Sequence, residues 1–552
     1  MKGNEKMKMT TRLTSSLEKC FASNAIGDFA PLRERTVLGG ECLNLQLLMY
    51  YEPERRTAEL RVRVRIEGDV ALRIREVREI PNAVPAFADH CDENYLSLAA
   101  GLYPDLLMPS PYGDRHSLLP NTLHALWLDA DADTIALGVH DIKIVVEDES
   151  GNPLSTEDFR IVRLDESLPP LDIKFTQWFH YDSLADYYRV EPWSEEHFRI
   201  VESFARAARR EGVNMILTPI HTPPLDTEIG GERRNVQLVR ITRENGEYRF
   251  DFTLFDRFVR LMLSLGFEYF EMAHLYTQWG AKHAPKIVLT HPDGREERIF
   301  GWDTDATSEE YAAFLGAYLP ALISHIEQLG IGHRCYFHIS DEPTLKNYET
   351  YTAAKEQVRD LLRGYPIMDA SSTYELYRDG FVEIPIPANN RIRPYLDAKV
   401  TGLWTYYCCE QTVGVANNLL AMPSYRTRSL AYQMFKYDIV GFLQWGFNFY
   451  YTRHSIGSIN PYLDTTGGYW VPGGDPFVVY PAPDGTPYES LRLLVFREML
   501  DELCLLRMLS SRYGKEKVLT LVEEQLGAVE FDRCATASAP VLALHEALIR
   551  LL

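Results

Sequence analysis

Nowhere in the 552 residues do about eighteen apolar residues run together, so no membrane-crossing helix is expected. The basic start, Met1-Lys2-Gly3-Asn4-Glu5-Lys6, is followed by a polar stretch from Thr10 to Lys19 rather than an apolar one, so no signal peptide is readable. Cysteine is sparse: the eight, at 20, 42, 91, 335, 408, 409, 504 and 534, form neither Cys-x-x-Cys pairs nor a regular framework. Reduced thiols in a cytoplasmic protein fit that pattern. Positive charge is short as well, 57 Lys and Arg against 78 Asp and Glu for a net charge of −21, which makes nucleic acid and anionic membranes poor partners. A Gly-x-Ser-x-Gly elbow, a Walker loop and a dinucleotide fingerprint are all missing. Oligomeric state is not readable.

What the chain does have is 46% hydrophobic residues and a length that one core rarely serves, so two or three domains are expected. Residues 1–40 read as a loosely attached helix or arm. From 41 to 165 the pattern alternates, as in Leu60-Arg61-Val62-Arg63-Val64-Arg65-Ile66, which predicts half-buried strands in an antiparallel β-sandwich. The prolines of 164–170 mark a linker. From 171 to 510 short apolar strands alternate with helices: Ile173–His180, Met215–His221, Phe267–Tyr276 and Arg334–Ser340 are strands, each with a helix after it. Less regular strands follow at 366–371, 383–389, 402–408 and 441–449, with helices best defined at 425–437 and 490–509. Eight such units predict an α/β fold, a (β/α)8 TIM barrel behind the sandwich. An open doubly wound sheet is the alternative, but no Gly-rich turn follows its first strand. Residues 511–552 form a helical tail, with Val541-Leu542-Leu544 and Leu548-Leu551-Leu552 at helical spacing.

Two insertions, a hairpin of 236–239 and 248–250 turning near Asn245-Gly246 and another turning at Asp293-Gly294, follow strands and so rise on the strands' C-terminal side. The strand ends on that side offer Trp178, His180, His221, His274, Tyr276, His338, Asp369, Asn389, Asn390, Trp404, Tyr406, Trp445, Asn448 and Tyr450. Indoles and phenols beside amides suit a pyranose, whose C–H face stacks while its hydroxyls hydrogen-bond. Each aromatic taken singly is more economically read as core. His180, His221, His274 and His338 could gather a metal as in barrel metallohydrolases, but none has His-x-His or His-Glu-x-x-His spacing, so neither metal nor cofactor is expected.

The most chemically pointed segment is His338-Ile339-Ser340-Asp341-Glu342-Pro343, where an apolar run stops and a Pro-led helix is predicted to begin. Strand side chains alternate faces, so adjacent carboxylates serve one pocket only if the chain leaves the sheet there. Asp-Glu-Pro also starts ordinary helices, with acids at the positive end of the dipole. This segment, Gly402-Leu403-Trp404-Thr405-Tyr406-Tyr407-Cys408-Cys409, and Tyr425-Arg426-Thr427-Arg428 leading into Gly441-Phe442-Leu443-Gln444-Trp445-Gly446-Phe447-Asn448 together resemble glycoside hydrolase family 123, over about residues 40 to 510. The resemblance implies a sandwich followed by a barrel, and a β-N-acetylgalactosaminidase-like retaining enzyme acting on a glycan or oligosaccharide. In that scheme the substrate's 2-acetamido oxygen is the nucleophile, Glu342 the acid and Asp341 the residue that orients the amide. Tyr406 is expected to hold the acetamido group, Trp404 and Trp445 to form walls, and Asn448 to contact a hydroxyl. The rivals are a two-carboxylate β-glycosidase using Glu342 and Glu410, a non-catalytic carbohydrate-binding protein, and a metallohydrolase.

Overall fold

The structure, a computed structural model, describes residues 8–53 and 59–552. Strands Lys8–Ser15, Cys42–Glu52, Leu123–Asp131, Arg73–Asn82 and Gly101–Met108 lie side by side in that order, and Pro487–Ser490 and Val479–Pro481 extend the same sheet from far down the chain. A second sheet orders Glu34–Gly39, Pro153–Ser167, Gly138–Glu147, Leu60–Glu67 and Arg115–Leu118. Leu43, Leu45, Leu47 and Met49 from the first sheet pack against Val62, Ile142, Ile144, Val146 and Ile161 from the second, which is a sandwich core built by period-2 alternation.

Two expectations change here. The stretch before residue 40 is not an arm: Lys8–Ser15 pairs with Cys42–Glu52 and Glu34–Gly39 pairs with Pro153–Ser167. Each satisfies backbone groups that a bare sheet edge would leave open. Residues 1–7 of that expected arm lie outside the described residues. The second pairing is parallel, so the sandwich is not wholly antiparallel.

The remainder is built on parallel strands. Cys335–Tyr336, Tyr269–Met272, Met215–Thr218, Lys174–Gln177, Gly441–Gln444 and Trp404–Tyr406 form one six-stranded sheet in that order, and Met368–Ala370 pairs with Ile384–Ile386. Single parallel bridges, Phe337 to Ile367 and Ala388 to Tyr406, join the pair to the two edges of the sheet. The fold is therefore mixed α/β, with the strands expected in one eight-stranded sheet divided between a sheet of six and a pair. Side chains on one side of these strands (Trp178, Met215, Leu217, Met368, Ala370, Ile386, Trp404, Leu443) form their own apolar cluster. It is separate from the larger one between the strands and the helices.

Three of the longest helices begin where serine accepts from the exposed N–H groups of a first turn: Ser194 from His197, Ser308 from Tyr311, Ser490 from Leu493. Observed strands stop short of the expected ones. Lys174–Gln177 ends before His180, whose N–H is taken by the Asn448 side chain, and Gly441–Gln444 ends likewise. The first insertion is a hairpin of Arg240–Glu244 and Glu247–Asp251 around Asn245 and Gly246, both at positive φ as a tight type I′ turn requires. Its first strand lies after the expected 236–239, because Val236, Leu238 and Val239 are buried in the helix-side core. Ile241 bridges Leu289, so both insertions share one four-stranded sheet.

Helix Leu491–Tyr513 joins the two halves of the molecule. Leu491, Leu494 and Val495 pack on Leu107 and Trp127 of the sandwich. Arg492 reaches both oxygens of Asp105, on sandwich strand Gly101–Met108, at 2.9 and 3.0 Å, and donates to the carbonyls of Gly474 and Phe477. The tail helices Lys515–Leu526 and Ser538–Ile549 lie against the same region, with His545 2.7 Å from Glu502. Among the described residues no helix is long and apolar enough to cross a membrane.

Both ends of the Asp105–Arg492 pair are buried, so removing one leaves an uncompensated charge. Replacing Arg492 by Met should lower the unfolding free energy by about 3–5 kcal/mol, read from urea denaturation. A loss below about 1 kcal/mol, the range of an exposed pair, would contradict the role given to it.

Candidate active site

The segment His338–Glu342 is suspended between its neighbours by backbone hydrogen bonds. Leu275 N–H and Tyr276 N–H donate to the carbonyls of His338 and Ile339, and Trp279 N–H donates to that of Asp341 at 2.9 Å. On the other side Glu342 N–H donates to Ala370 O at 3.0 Å. Glu342 has φ of 46°, the left-handed region that a side chain rarely adopts. That kink takes the chain out of strand alternation. The expected helix does not start at Pro343: a 3₁₀ turn, Leu345–Asn347, comes first and the helix is Tyr348–Arg359.

Asp341 and Glu342 are each partly open to solvent, and the charges of both act on Tyr406. Burial, then the charge of Glu342 and that of Asp226, pushes the Asp341 carboxyl well above the carboxylate range, with His338 opposing. Burial also raises Glu342. The Tyr406 hydroxyl, donating to its Oε1 at 2.5 Å, partly offsets this, and Glu410 adds to it. The pair therefore keeps a proton more readily than free carboxyls do.

Beneath it lies a fixed charge network. His338 places Nε2 2.7 Å from Glu271 and Nδ1 3.2 Å from Asp369. Glu271 accepts from Trp178 Nε1 at 2.7 Å and from Thr176 at 2.5 Å, and Asp369 from Tyr351 at 2.5 Å and from Ile339 N–H. Burial would strip the imidazole of its proton, but Asp369 and Glu271 outweigh it and hold the pKa up at about 9. His274 stacks on this ring at 4.1 Å and 21°. Burial, then the charge of His338, keeps it neutral.

His274, His338 and Asp369 have ligating atoms within 4.8 Å of one another. Stacked imidazoles direct their in-plane lone pairs along nearly parallel planes, however, and carboxylates already hold both nitrogens of His338. His338 and Asp369 are thus spent on a hydrogen-bonded floor rather than arranged as a tetrahedral metal cage, while both nitrogens of His274 are buried without a hydrogen-bond partner.

A second network makes the wall. Arg233 grips Asp182 with two bonds of 2.6 Å and donates to His180 Nδ1 at 3.1 Å. Burial opposes ionisation of Asp182, but the guanidinium prevails and keeps the carboxyl below its usual range. Burial pushes the pKa of Asp226 to about 7, with the charge of Arg233 opposing and that of Glu342 adding to it. Asp475 accepts from Trp445 Nε1 at 2.9 Å and is also raised by burial to about 7. Trp404 lies flat against Gly441, where even a Cβ would collide with the indole.

Of the residues picked from the sequence, Asp341, Glu342, Trp178, His274, His338, Trp404, Tyr406 and Trp445 belong to this floor and wall. His180 reaches it through Arg233, and His221 only through a bond to the carbonyl of His274. Four do not join. Tyr276 packs on Tyr311 in the helix-side core, and Tyr450 sits there too, donating to Val479 O. Asn448 is fully buried with its amide paired to the backbone of His180, and Asn389 donates to Ala416 O while its own oxygen is buried without a partner. Alternation lapses beyond the strand, so position at a strand end does not fix where these side chains point. Sequence reasoning missed Asp182, Asp226, Arg233, Glu271 and Asp475. Only Glu271, a lone carboxylate inside the apolar strand Tyr269–Met272, carried a signal.

A model of the glycoside hydrolase 123 catalytic domain matches residues 178–509. Among solved structures, a family 123 glycoside hydrolase from Clostridium perfringens, studied for glycolipid glycan hydrolysis, is similar over 98% of this chain and 97% of its own, at 14% identity and a TM-score of 0.72. The β-glucuronidase of Parabacteroides merdae matches 90% of this chain and 52% of its own, at 11% identity and a TM-score of 0.31. No curated protein sequence matches the chain.

The floor makes a spectroscopic prediction. ¹⁵N spectra of the imidazole nitrogens should show His338 doubly protonated at pH 7, titrating near the value of about 9 that its two carboxylates impose. The unfolded ring titrates near about 6.5, so the stability this contact lends is complete below that pH and fades as pH rises through the folded value. A neutral His338 at pH 7 would contradict the network.

Proposed function

Given that this chain belongs to glycoside hydrolase family 123, we propose that it removes terminal β-linked 2-acetamido-2-deoxyhexoses from glycans, N-acetylgalactosamine foremost, with retention and with the substrate's acetamido oxygen as nucleophile. The observation that carries this reading is the kink at Glu342, which brings two consecutive carboxylates close enough for the charge of one to raise the pKa of the other. A protein nucleophile would have to sit about 5–5.5 Å from the acid across the anomeric carbon, a span that neighbours in sequence rarely bridge. Substrate-assisted hydrolysis needs instead one acid and one carboxylate beside it. We also read the eight parallel strands, bridged at both junctions and enclosing a core of their own, as a closed (β/α)8 barrel with this site at its C-terminal end.

In this scheme Glu342 gives its proton to the glycosidic oxygen as the acetamido oxygen bonds to the anomeric carbon and the aglycone leaves. Before substrate binds, burial and the charges of Glu342 and Asp226 favour the pair's proton on Asp341. The amide N–H, donated to Asp341, favours the ionised form there and leaves the proton to Glu342, and the Asp341 charge then stabilises the cyclic oxazolinium. Glu342 then takes a proton from water, which opens the ring from the face the aglycone left, so configuration is retained. Tyr406, poised on Glu342, turns to the acetamido group when substrate arrives. Asp226 and Asp475, which titrate near neutrality, suit hydroxyls that both give and accept hydrogen bonds. The two-carboxylate rival keeps one point in its favour, since the charge of Glu410 acts on Glu342. Yet Glu410 is exposed, unlike a nucleophile set beneath a sugar.

An aryl 2-acetamido-2-deoxy-β-galactoside should be cleaved at least about 100-fold faster than the plain aryl galactoside, because the nucleophile is lost with the amide. Glu342→Gln should cost about 10²–10⁴-fold on alkyl or sugar leaving groups and far less on activated aryl ones, whereas Asp341→Asn should harm both. For the wild type kcat/KM should fall on the alkaline side as the pair loses its proton. Equal turnover of the plain galactoside, or a 2-fluoro sugar trapped on Glu410, would establish the rival.

A further inference from the structure

Beyond the carboxylate pair, a line of aromatic rings runs from the wall to the protein surface. Trp445 is 5.8 Å from Trp470, Trp470 is 6.2 Å from His454, and His454 meets Trp279 edge-on at 5.4 Å. Trp445 is 9% exposed and Trp279 37%, so the line emerges from the site rather than crossing the core. Trp279 is also tied to the reaction centre, since its N–H holds the carbonyl of Asp341.

The loops carrying these rings are held in conformations that their sequences resist. Asp226, Trp279, Ala281, His454, Ser455 and Tyr469 all have φ between 45° and 63° without being glycine. Such backbone persists only where surrounding structure fixes it, and it gathers at ligand clamps. The fixing bonds are present: Glu228 N–H donates to His454 O at 2.9 Å, Ser455 Oγ to Asp226 O at 2.7 Å, and the Gln278 side chain bonds both Asp226 N–H and Thr227 O. Three loops distant in sequence are thereby locked together around an outward-facing indole. His454 Nδ1 is buried beside it without a hydrogen-bond partner.

We propose that Trp279 and His454 form an aglycone subsite, which holds the sugar that follows the cleaved bond. This rests on the reading that Asp341 and Glu342 cleave glycosides. The occupant is a pyranose rather than a lipid chain because the platform is mixed. A flat indole offers a stacking face, while Glu228, Arg453 and the imidazole beside it offer partners for hydroxyls. Held in register by the backbone bond from Trp279 to Asp341, a stacked second sugar would place the glycosidic oxygen against Glu342.

The test compares wild type, Trp279→Ala and Trp279→Phe on a β-N-acetylgalactosaminyl disaccharide and on methyl 2-acetamido-2-deoxy-β-galactoside, with calorimetric binding of the thio-linked disaccharide to each protein. Trp279→Ala should lower the disaccharide-to-methyl ratio of kcat/KM at least about fivefold and weaken thio-disaccharide binding by a similar factor, and Trp279→Phe should restore most of both. An unchanged ratio together with unchanged binding would overturn the subsite. Wild type cleaving neither substrate would overturn the proposed activity instead, and calorimetry would still decide the subsite: weaker binding by Trp279→Ala supports it and equal binding refutes it.

Discussion

Two side chains adjacent in sequence point to opposite faces of a strand, and the site depends on breaking that rule at one residue. Glu342 takes the left-handed conformation and is kept there by its N–H on Ala370, while the carbonyl of Asp341 is held from the other side by Trp279. A non-glycine residue in that region costs free energy on the order of 1–3 kcal/mol, so these contacts must over-determine it. The neighbouring parallel strands supply them. In this way the sheet converts conformational strain into the juxtaposition of two carboxyls.

Placing those carboxyls together creates an electrostatic problem that the surroundings resolve only in part. Asp341, Glu342, Asp226 and Asp475 repel one another within one site, and Arg233 is already committed to Asp182. His338 is the positive group beneath them, and Glu271 and Asp369 neutralise it in turn. The result is a site that holds protons into the neutral range. That suits a group which must donate a proton and walls which must bind hydroxyls.

Much of this was legible in the sequence because it rests on local pattern. Alternation marked Leu60–Glu67, the strand-then-helix rhythm marked Glu195–Arg210 and Glu309–Gln328, and Asn245-Gly246 marked its turn. The carboxylate pair stood out because two acids interrupt an apolar run. What could not be read depends on long-range closure. Strands Lys8–Ser15 and Pro487–Ser490 share a sheet although nearly the whole chain separates them, and only the finished edges recruit them. Asp226 and Asp475 sit in loops whose local sequence resembles any turn. Tyr276, Asn448 and Tyr450 were picked for their place at strand ends, where alternation lapses and no longer fixes where a side chain points.

The central claim, that Asp341 steadies a nucleophile supplied by the ligand while Glu342 handles the proton, is tested most directly by a crystal structure with a galacto-configured thiazoline, a stable mimic of the oxazolinium intermediate. The account predicts the thiazoline nitrogen within about 3 Å of an Asp341 oxygen, with Glu342 facing the anomeric carbon from the side where water must enter. A thiazoline nitrogen turned away from Asp341, or a carboxylate other than these two beneath the anomeric carbon, would contradict it.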